Sequence, residues 1–269
     1  MTPELLRAWE QRYGLLQPVR TPGGFRLYGE EDAERVARMR QALDEGLSAA
    51  EAARGALEAA ASPDRLIEDA RARLMSAIES YDEAAVQTVL DDGLAAFGFE
   101  TFVRDLILPT LTAVGRGWDQ GSVEISQEHF ASNLIRGRLL ALARLWSRGA
   151  GPLALLACAP GEQHDISLLA FGLILRSHGW RILFLGADTP LSTLQKTARS
   201  TGPVVIVLVT FDSALVKAEG PALRRLARTA PLFLSGPGTS PDVTGQLRVR
   251  RLDGDLIEAA HEVAKMSNE

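Results

Sequence analysis

The segment Leu153-Ala154-Leu155-Leu156-Ala157, the loop Gly161-Glu162-Gln163-His164-Asp165-Ile166-Ser167 and the apolar run that follows as far as His178 decide the fold. A short apolar segment, a polar loop carrying one imidazole and a longer segment of helical pattern read as strand, loop and helix. In open α/β folds this order sets the histidine at the carboxyl edge of a parallel sheet, where such folds keep their ligands. An imidazole there suits a transition metal, and Glu162, two residues earlier, is placed to fix its tautomer as an outer partner. Taken alone, a loop histidine is more often exposed or capping than ligating.

The rest of the chain supplies the context. Beyond Gly149-Ala150-Gly151-Pro152, which reads as a domain boundary, further strand-like runs fall at 182–186, 204–209, 232–235 and 247–252, with helices starting near Ile166, Leu191, Ala214 and Asp255. That alternation predicts a doubly wound, Rossmann-like α/β domain with a parallel sheet. The loop Ser235-Gly236-Pro237-Gly238 after the fourth strand is small enough for a ligand to approach its backbone, or for a plain turn.

Upstream, Ser62-Pro63 restarts the chain with a cap and a first-turn proline. Four helical patterns follow, at about 63–80, 82–96, 99–117 and 124–148, and their short connections predict a four-helix bundle. Pro109 lies inside the third and is expected to kink it. Trp118, Ile125, Glu128 and His129 cluster where the third helix gives way to the fourth. Ile125 and Glu128 share a helical face and His129 lies about 100° further round. An indole, a carboxylate and an imidazole at one turn could close over a planar, purine-like ligand. Singly, a tryptophan at a helix end is usually core and a glutamate there solvated.

At the amino end, Thr2-Pro3-Glu4 caps a short helix that Gly14 ends. Between Gln11 and Gly29 lie Arg12, Arg20 and Arg26 and no acidic residue, with Pro22-Gly23-Gly24 turning the chain between two short extended runs. A hairpin exposing arginine at its tip suits phosphate or the minor groove, or is a solvated turn. Helical patterns then run from Glu30 to Leu57, with Val36, Met39 and Leu43 on one face.

The stretch Leu6-Arg7-Ala8-Trp9-Glu10-Gln11-Arg12-Tyr13-Gly14-Leu15, with Pro18, Arg20-Thr21 and Gly24-Phe25-Arg26-Leu27-Tyr28, closely resembles the recognition helix and wing of MerR-type regulators. The resemblance implies a partial winged helix-turn-helix that binds double-stranded operator DNA. Arg7, Arg12 and Tyr13 would meet the major groove, and Arg20, Phe25 and Arg26 would lie in the wing near the minor groove. MerR domains open with another helix and turn for which this chain has no residues, so a start placed late is the expectation at Met1. An antirepressor that pairs with complete partners and never touches DNA is the alternative.

The combination of Glu162-x-His164, Ser235-Gly236, the bundle and Trp118 with Glu128-His129 resembles the CarH/LitR family of MerR-type, vitamin B12-dependent photoreceptors over nearly the whole chain. It implies adenosylcobalamin as cofactor, His164 as the lower ligand of its cobalt, and Trp118, Ile125, Glu128 and His129 around the adenosyl group. The tail would lie along Glu162, Ser167, Ser235, Gly236 and Gly238. The implied domains are a MerR-type DNA-binding domain at 1–58, the capping bundle at 62–149 and the cobalamin-binding domain at 152–269. The implied action is that of a light-responsive repressor, a homo-oligomer (dimer or tetramer) that changes state and DNA binding when light breaks the cobalt–carbon bond. Departures from the family pattern are Glu162 for Asp, Ser167 for Gly, Val207 for a strand serine and Ser235 for the first of two glycines. They bear on tail affinity more than on axial ligation. Asp119 replaces a histidine that in light-sensing relatives captures cobalt, so the lit state is expected to be less locked.

Composition is that of an ordinary globular protein: 269 residues and a net charge of −5 give no global pull toward nucleic acid or anionic membrane. The single cysteine, Cys158, reads as core and fits a reducing cytoplasm. No signal peptide or membrane span is apparent. No hydrolase-like Ser/His/Asp order, zinc-spaced Cys/His set or P-loop appears, so the chain is not expected to be an enzyme. His178 and His261 fall in ordinary helical patterns and receive no role. The competing reading is a corrinoid carrier for methyl transfer, which shares the bundle, the loop and the sheet.

Overall fold

The computed structural model describes residues 2–21, 23–60, 62–247 and 249–266, in two compact units, Met1–Ala72 and Arg73–Glu269. Met1 and Pro22, which figured in the readings of the start and of the wing turn, lie outside the described residues.

In the first unit, α1 (Pro3–Tyr13) begins with Thr2 Oγ1 accepting from the Leu5 N–H and ends at Gly14, whose φ of 63° is the left-handed conformation glycine adopts freely. The wing follows as β1 (Val19–Arg20) antiparallel to β2 (Arg26–Leu27), closed by Thr21 Oγ1 accepting from the Phe25 N–H at 3.1 Å. Next come α2 (Glu30–Asp44), α3 (Ala49–Ala60) and the start of α4 (Pro63–Glu79). Trp9, Leu15, Leu16, Val36 and Met39 form the core with Ala52, Ala53 and Ala56, whose small side chains let α3 approach closely. Buried Asp32 ties both ends of the wing to α2: its carboxylate accepts from the Gln17 N–H at 2.9 Å and the Gly29 N–H at 3.3 Å.

In the second unit the bundle is the rest of α4, then α5 (Glu83–Phe97), α6 (Phe99–Thr101), a π-helical turn (Phe102–Ile107), α7 (Leu108–Asp119) and α8 (Ile125–Leu142). The four predicted helices are therefore present, with two differences. Pro109 has no N–H to donate, and its ring would crowd the carbonyl of Asp105 in a regular helix. The chain absorbs this upstream of the proline by widening one turn, so that the Leu108 N–H donates to the Val103 carbonyl. The last helix stops at Leu142 rather than near 148, because residues 143–147 peel away as turns. There the Trp146 carbonyl accepts from the Ile182 N–H at 3.0 Å and its ring packs on Phe184, which docks the end of the bundle on the sheet.

The sheet contains β3 (Leu153–Cys158), β4 (Arg181–Gly186), β5 (Val205–Val209), β6 (Leu232–Ser235) and β7 (Arg250–Arg251). The connecting helices are α9 (Ile166–Ser177), α10 (Leu191–Thr201), α11 (Ser213–Ala218), α12 (Gly220–Ala227), α13 (Pro241–Leu247) and α14 (Leu256–Lys265). All neighbours are parallel in the order β4-β3-β5-β6-β7. β3 and β5 are wholly buried, as strands covered on both faces must be. The strand expected over 247–252 is shorter than its pattern suggested: Leu247 ends α13, and only Arg250–Arg251 pair with β6. Chain order reverses between β3 and β5, so the loops leaving those two strands flank the crevice where doubly wound sheets bind ligands.

Replacing Asp32 with alanine would leave two wing N–H groups without their acceptor. Chemical denaturation of the variant should show a loss of about 1–3 kcal/mol, and a change within error would mean the wing is held without it.

Candidate functional site

The loop after β3 is held from several sides before any ligand is considered. The Gly161 N–H donates to Asp188 Oδ1 at 2.7 Å, and the Asp188 N–H donates to the Glu162 carbonyl at 2.9 Å, which clips the β4 loop to it. Glu162 is buried. Its Oε1 accepts from the His164 N–H at 2.9 Å and lies 2.5 Å from His164 Nδ1, while its Oε2 accepts from the Phe211 N–H at 2.8 Å. Burial alone would raise the Glu162 pKa, but the hydrogen bonds from the backbone and ring of His164 and from Phe211 outweigh it and hold the carboxyl below its ordinary range.

An ionised carboxylate only accepts, so Nδ1 of a neutral imidazole carries the proton and Nε2 keeps its lone pair. The His164 side chain is 71% exposed and stacks on the Phe211 ring at a centroid distance of 4.8 Å. The loop therefore presents an exposed imidazole held through Nδ1 by a buried carboxylate. The donor chemistry fits an axial metal ligand, and the longer Glu162, where the family pattern has Asp, still reaches the ring.

Asp165, next to this histidine, is buried at the start of α9 and receives Arg136 of α8 in a bidentate pair, with Nε at 2.9 Å and Nη2 at 2.8 Å. The hydrogen bonds that Arg136 donates to Asp165 raise its pKa. Neither residue was singled out from the sequence, and a pair 29 positions apart leaves no local signal. Arg136 stands eight residues beyond Glu128, roughly 12 Å along α8, so one helix carries both the bundle's polar cluster and the clamp on the histidine loop.

At the other end of α8, Glu128 Oε2 lies 2.6 Å from His129 Nδ1 and its Oε1 accepts from Ser132 Oγ at 2.6 Å. Trp118, in the last turn of α7, and Ile125, in the first turn of α8, are both about half exposed, which ordinary core residues at helix ends would not be. Asp119 is exposed beside Trp118. Ser167 is half-buried in the first turn of α9, and Val207 is buried in the middle of β5.

Ser235 is half-buried at the end of β6. The glycines after it answer first to the chain itself. A Cβ at Gly236 would lie 2.6 Å from the Thr210 carbonyl oxygen, and one at Gly238 would lie 2.6 Å from the Asp212 nitrogen. The β6 loop thus packs against the β5 loop that holds Phe211, and room for a ligand's approach is not what demands glycine at these positions. Phe211 was missed by sequence reasoning; its place directly after the third strand of a doubly wound sheet was the available signal.

In the amino-terminal unit Arg7 and Arg12 are exposed on α1, and the Arg12 guanidinium lies 5.7 Å from the ring centre of half-buried Tyr13. Arg20 is exposed, and Phe25 is 75% exposed at the wing tip. Arg26 departs from the expected exposed tip: its Nε donates to Glu10 Oε2 at 2.8 Å, bracing the wing against α1.

Comparison with known proteins agrees with both halves. Residues 1–57 match the MerR HTH family regulatory protein model, and residues 70–143 match the B12 binding domain model. The chain is 36% identical over 266 residues to the HTH-type transcriptional repressor CarA of Myxococcus xanthus, covering 98% of this chain and 88% of CarA. It is 33% identical over 241 residues to the HTH-type transcriptional repressor CarH of the same organism, covering 85% of this chain and 81% of CarH. In fold it is similar to the Methanosarcina barkeri monomethylamine corrinoid protein, with a TM-score of 0.60 at 18% identity, over 74% of this chain and 98% of that one.

Two measurements check this geometry. Burial, with the nearby carboxylates of Asp165 and Glu162, pushes the Cys158 thiol up to about 12, so iodoacetamide at about pH 8 should label the denatured chain and spare the native one. Arg136→Met leaves the buried Asp165 carboxylate unpaired and should cost about 1–3 kcal/mol in denaturant titration, tempered by the half-exposure of Arg136, with part recovered by adding Asp165→Asn. Full stability in Arg136→Met would mean solvent already serves Asp165.

Proposed function

The chain belongs to the CarH/CarA family of B12-dependent, MerR-type transcriptional regulators, and from that membership we propose that it is a light-responsive repressor using adenosylcobalamin. The observation that carries the reading is the Glu162–His164 arrangement, an exposed imidazole fixed by a buried carboxylate at the sheet's crevice. When bound, adenosylcobalamin supplies a cobalt–carbon bond that light breaks.

The chain's own residues divide the work. His164 would ligate the cobalt, with Glu162 and Phe211 holding its ring. Trp118 and Ile125 offer apolar surface to the adenosyl group, while Glu128, steadied by His129 and Ser132, accepts from its hydroxyls. The loops at Ser167, Ser235, Gly236 and Gly238 receive the tail. The Arg136–Asp165 pair ties movement of the bundle to the histidine loop. Asp119 puts a carboxylate where light-sensing relatives can have a histidine, so the photolysed state would be less locked or more reversible. In this reading residues 1–58 bind DNA, 62–149 cap the cofactor and 152–269 bind it.

The DNA-facing set is Arg7, Arg12 and Tyr13 on α1 with Arg20 and Phe25 in the wing, which Arg26 braces against α1 through Glu10. Cofactor-bound chains associate as a dimer or tetramer and present several wings to one operator; loss of the adenosyl contacts shifts the population to smaller species with weaker DNA binding. The relatives matched over most of their length are named transcriptional repressors, not enzymes. The fold shared with a corrinoid protein is common to sensors and methyl carriers, whereas α1 and the wing, folded with exposed arginines, suit only the sensor.

Absorption spectra of the dark protein with adenosylcobalamin should show a bound form that changes under green light, with affinity lowered at least tenfold by His164→Ala and by about 10–100-fold in Glu162→Gln, as for outer-shell partners elsewhere. Size-exclusion chromatography before and after illumination should show the larger species only in the dark. Binding indifferent to His164 would refute the ligand assignment, and an oligomer unchanged by light would refute the switch.

A further inference from the structure

Two of the chain's four histidines, His178 and His261, lie outside the cofactor site, yet they meet. His178 caps the carboxyl end of α9, His261 stands in the middle of α14, and their rings pack edge to face at 4.9 Å. Glu100, from α6 of the bundle, joins them: its Oε1 lies 3.1 Å from His261 Nε2 and 3.8 Å from His178 Nε2. One ligand atom from each residue falls within 4.8 Å of the other two. The helical patterns on which these residues sit gave no reason to connect positions 100, 178 and 261.

We propose that Glu100, His178 and His261 form a binding site for a divalent transition-metal ion of the zinc type, separate from the cobalt site. Two imidazoles and one carboxylate are the donors of open, three-ligand zinc sites, and they suit Zn²⁺, Ni²⁺ or Cu²⁺ far better than the all-oxygen shells of Ca²⁺ or Mg²⁺. Ligand bonds of about 2.0–2.1 Å to a tetrahedral ion put donor atoms roughly 3.3 Å apart. The observed carboxylate–imidazole spacings of 3.1 and 3.8 Å bracket that value, and the three ligand atoms all lie within 4.8 Å of one another, so the side chains would draw together around the ion.

A plain hydrogen-bonded cluster explains less. At 3.8 Å from the same Glu100 oxygen the His178 nitrogen is beyond hydrogen-bonding reach of it. Arg104, the neighbouring cation, does not occupy the carboxylate, since its guanidinium is bidentate on Asp105. Each of the three side chains is about two-fifths exposed, which leaves room for water at a fourth position and for the ion to enter.

The placement has a consequence for the fold. Glu100 belongs to the bundle and both histidines to helices of the sheet domain, so the ion would cross-link the two at the far end of α9, about 18 Å from the Arg136–Asp165 pair at its start. Bound metal would stabilise the packing of bundle on sheet whatever the state of the cobalamin site.

The test uses untagged, full-length, cobalamin-free protein titrated with Zn²⁺ against a chromophoric chelator, with the melting temperature read in parallel. We expect one equivalent bound and a raised melting temperature in the wild type and in a His129→Ala, His164→Ala variant. We expect at least a tenfold loss of affinity in Glu100→Gln, His178→Ala and His261→Gln, each with unchanged circular dichroism and melting in chelator. The partly exposed Glu100→Gln keeps the test valid if a histidine variant folds poorly. Failure of the wild type to bind, or binding that follows His164 and not Glu100, overturns the site. Neither outcome bears on the cobalamin reading, which stands on His164.

Discussion

A single carboxylate, that of Glu162, fixes the chemistry of the crevice. Three donors converge on it, two from His164 and one from the Phe211 N–H. Burial disfavours its charge and the donors restore it, so the group remains ionised where an isolated carboxyl would neutralise. That one balance holds the His164 ring at Nδ1 and ties the loop after β3 to the loop after β5. Because these are the loops on either side of the point where strand order reverses, the hydrogen bonds that orient the imidazole also define the width of the crevice.

Around this centre the loops are supported by each other more than by side-chain bulk. Asp188 clips Gly161, and the backbone at Gly236 and Gly238 presses onto Thr210–Asp212 so closely that no Cβ could be accommodated. A substitution at either glycine would move Phe211, and with it the ring that stacks on His164 and the N–H that satisfies Glu162. Ser235, where the family pattern has a glycine, is tolerated because it is the last residue of β6, before the close approach begins.

Much of the architecture was legible in the sequence because it is encoded locally. Apolar runs of four to six residues separated by helical periods defined the sheet domain, and cap and stop residues such as Thr2, Gly14, Ser62 and Pro63 marked the helix ends. What escaped is set by the tertiary structure. A proline's cost appears as a widened turn upstream at Phe102–Ile107, since the clash lies with the preceding turn's carbonyl and not with the proline's own surroundings. The fourth bundle helix ends early because Trp146 gains a strand hydrogen bond and an aromatic partner that helix continuation would forfeit. The fifth strand shrank because Leu247 packs as the end of a helix. In the site, His164 and Glu162 were found from their two-residue spacing, while Phe211, Asp188, Arg136 and Asp165 join it only through the fold. Arg26 was read as a free wing-tip cation because its partner, Glu10, lies on another element.

The way bundle and sheet are joined near the site carries its own logic. Asp165 is buried and its carboxylate is gripped at both oxygens by one arginine from the opposite partner, itself two-fifths exposed. Such a pair adds little net stability relative to an apolar contact, because desolvating the carboxylate offsets most of the attraction. It does impose geometry: a bidentate fork satisfies both oxygens in one orientation only, and a small slide of α8 along α9 leaves a charge stranded. Apolar side chains would tolerate that slide with a gradual loss of area. An interface registered by a charged fork therefore favours one seated arrangement over intermediates, and the same helix that carries the fork carries Glu128 and His129 two turns earlier. Any ligand that draws on Glu128 consequently acts on a lever whose other end is set against the loop of His164.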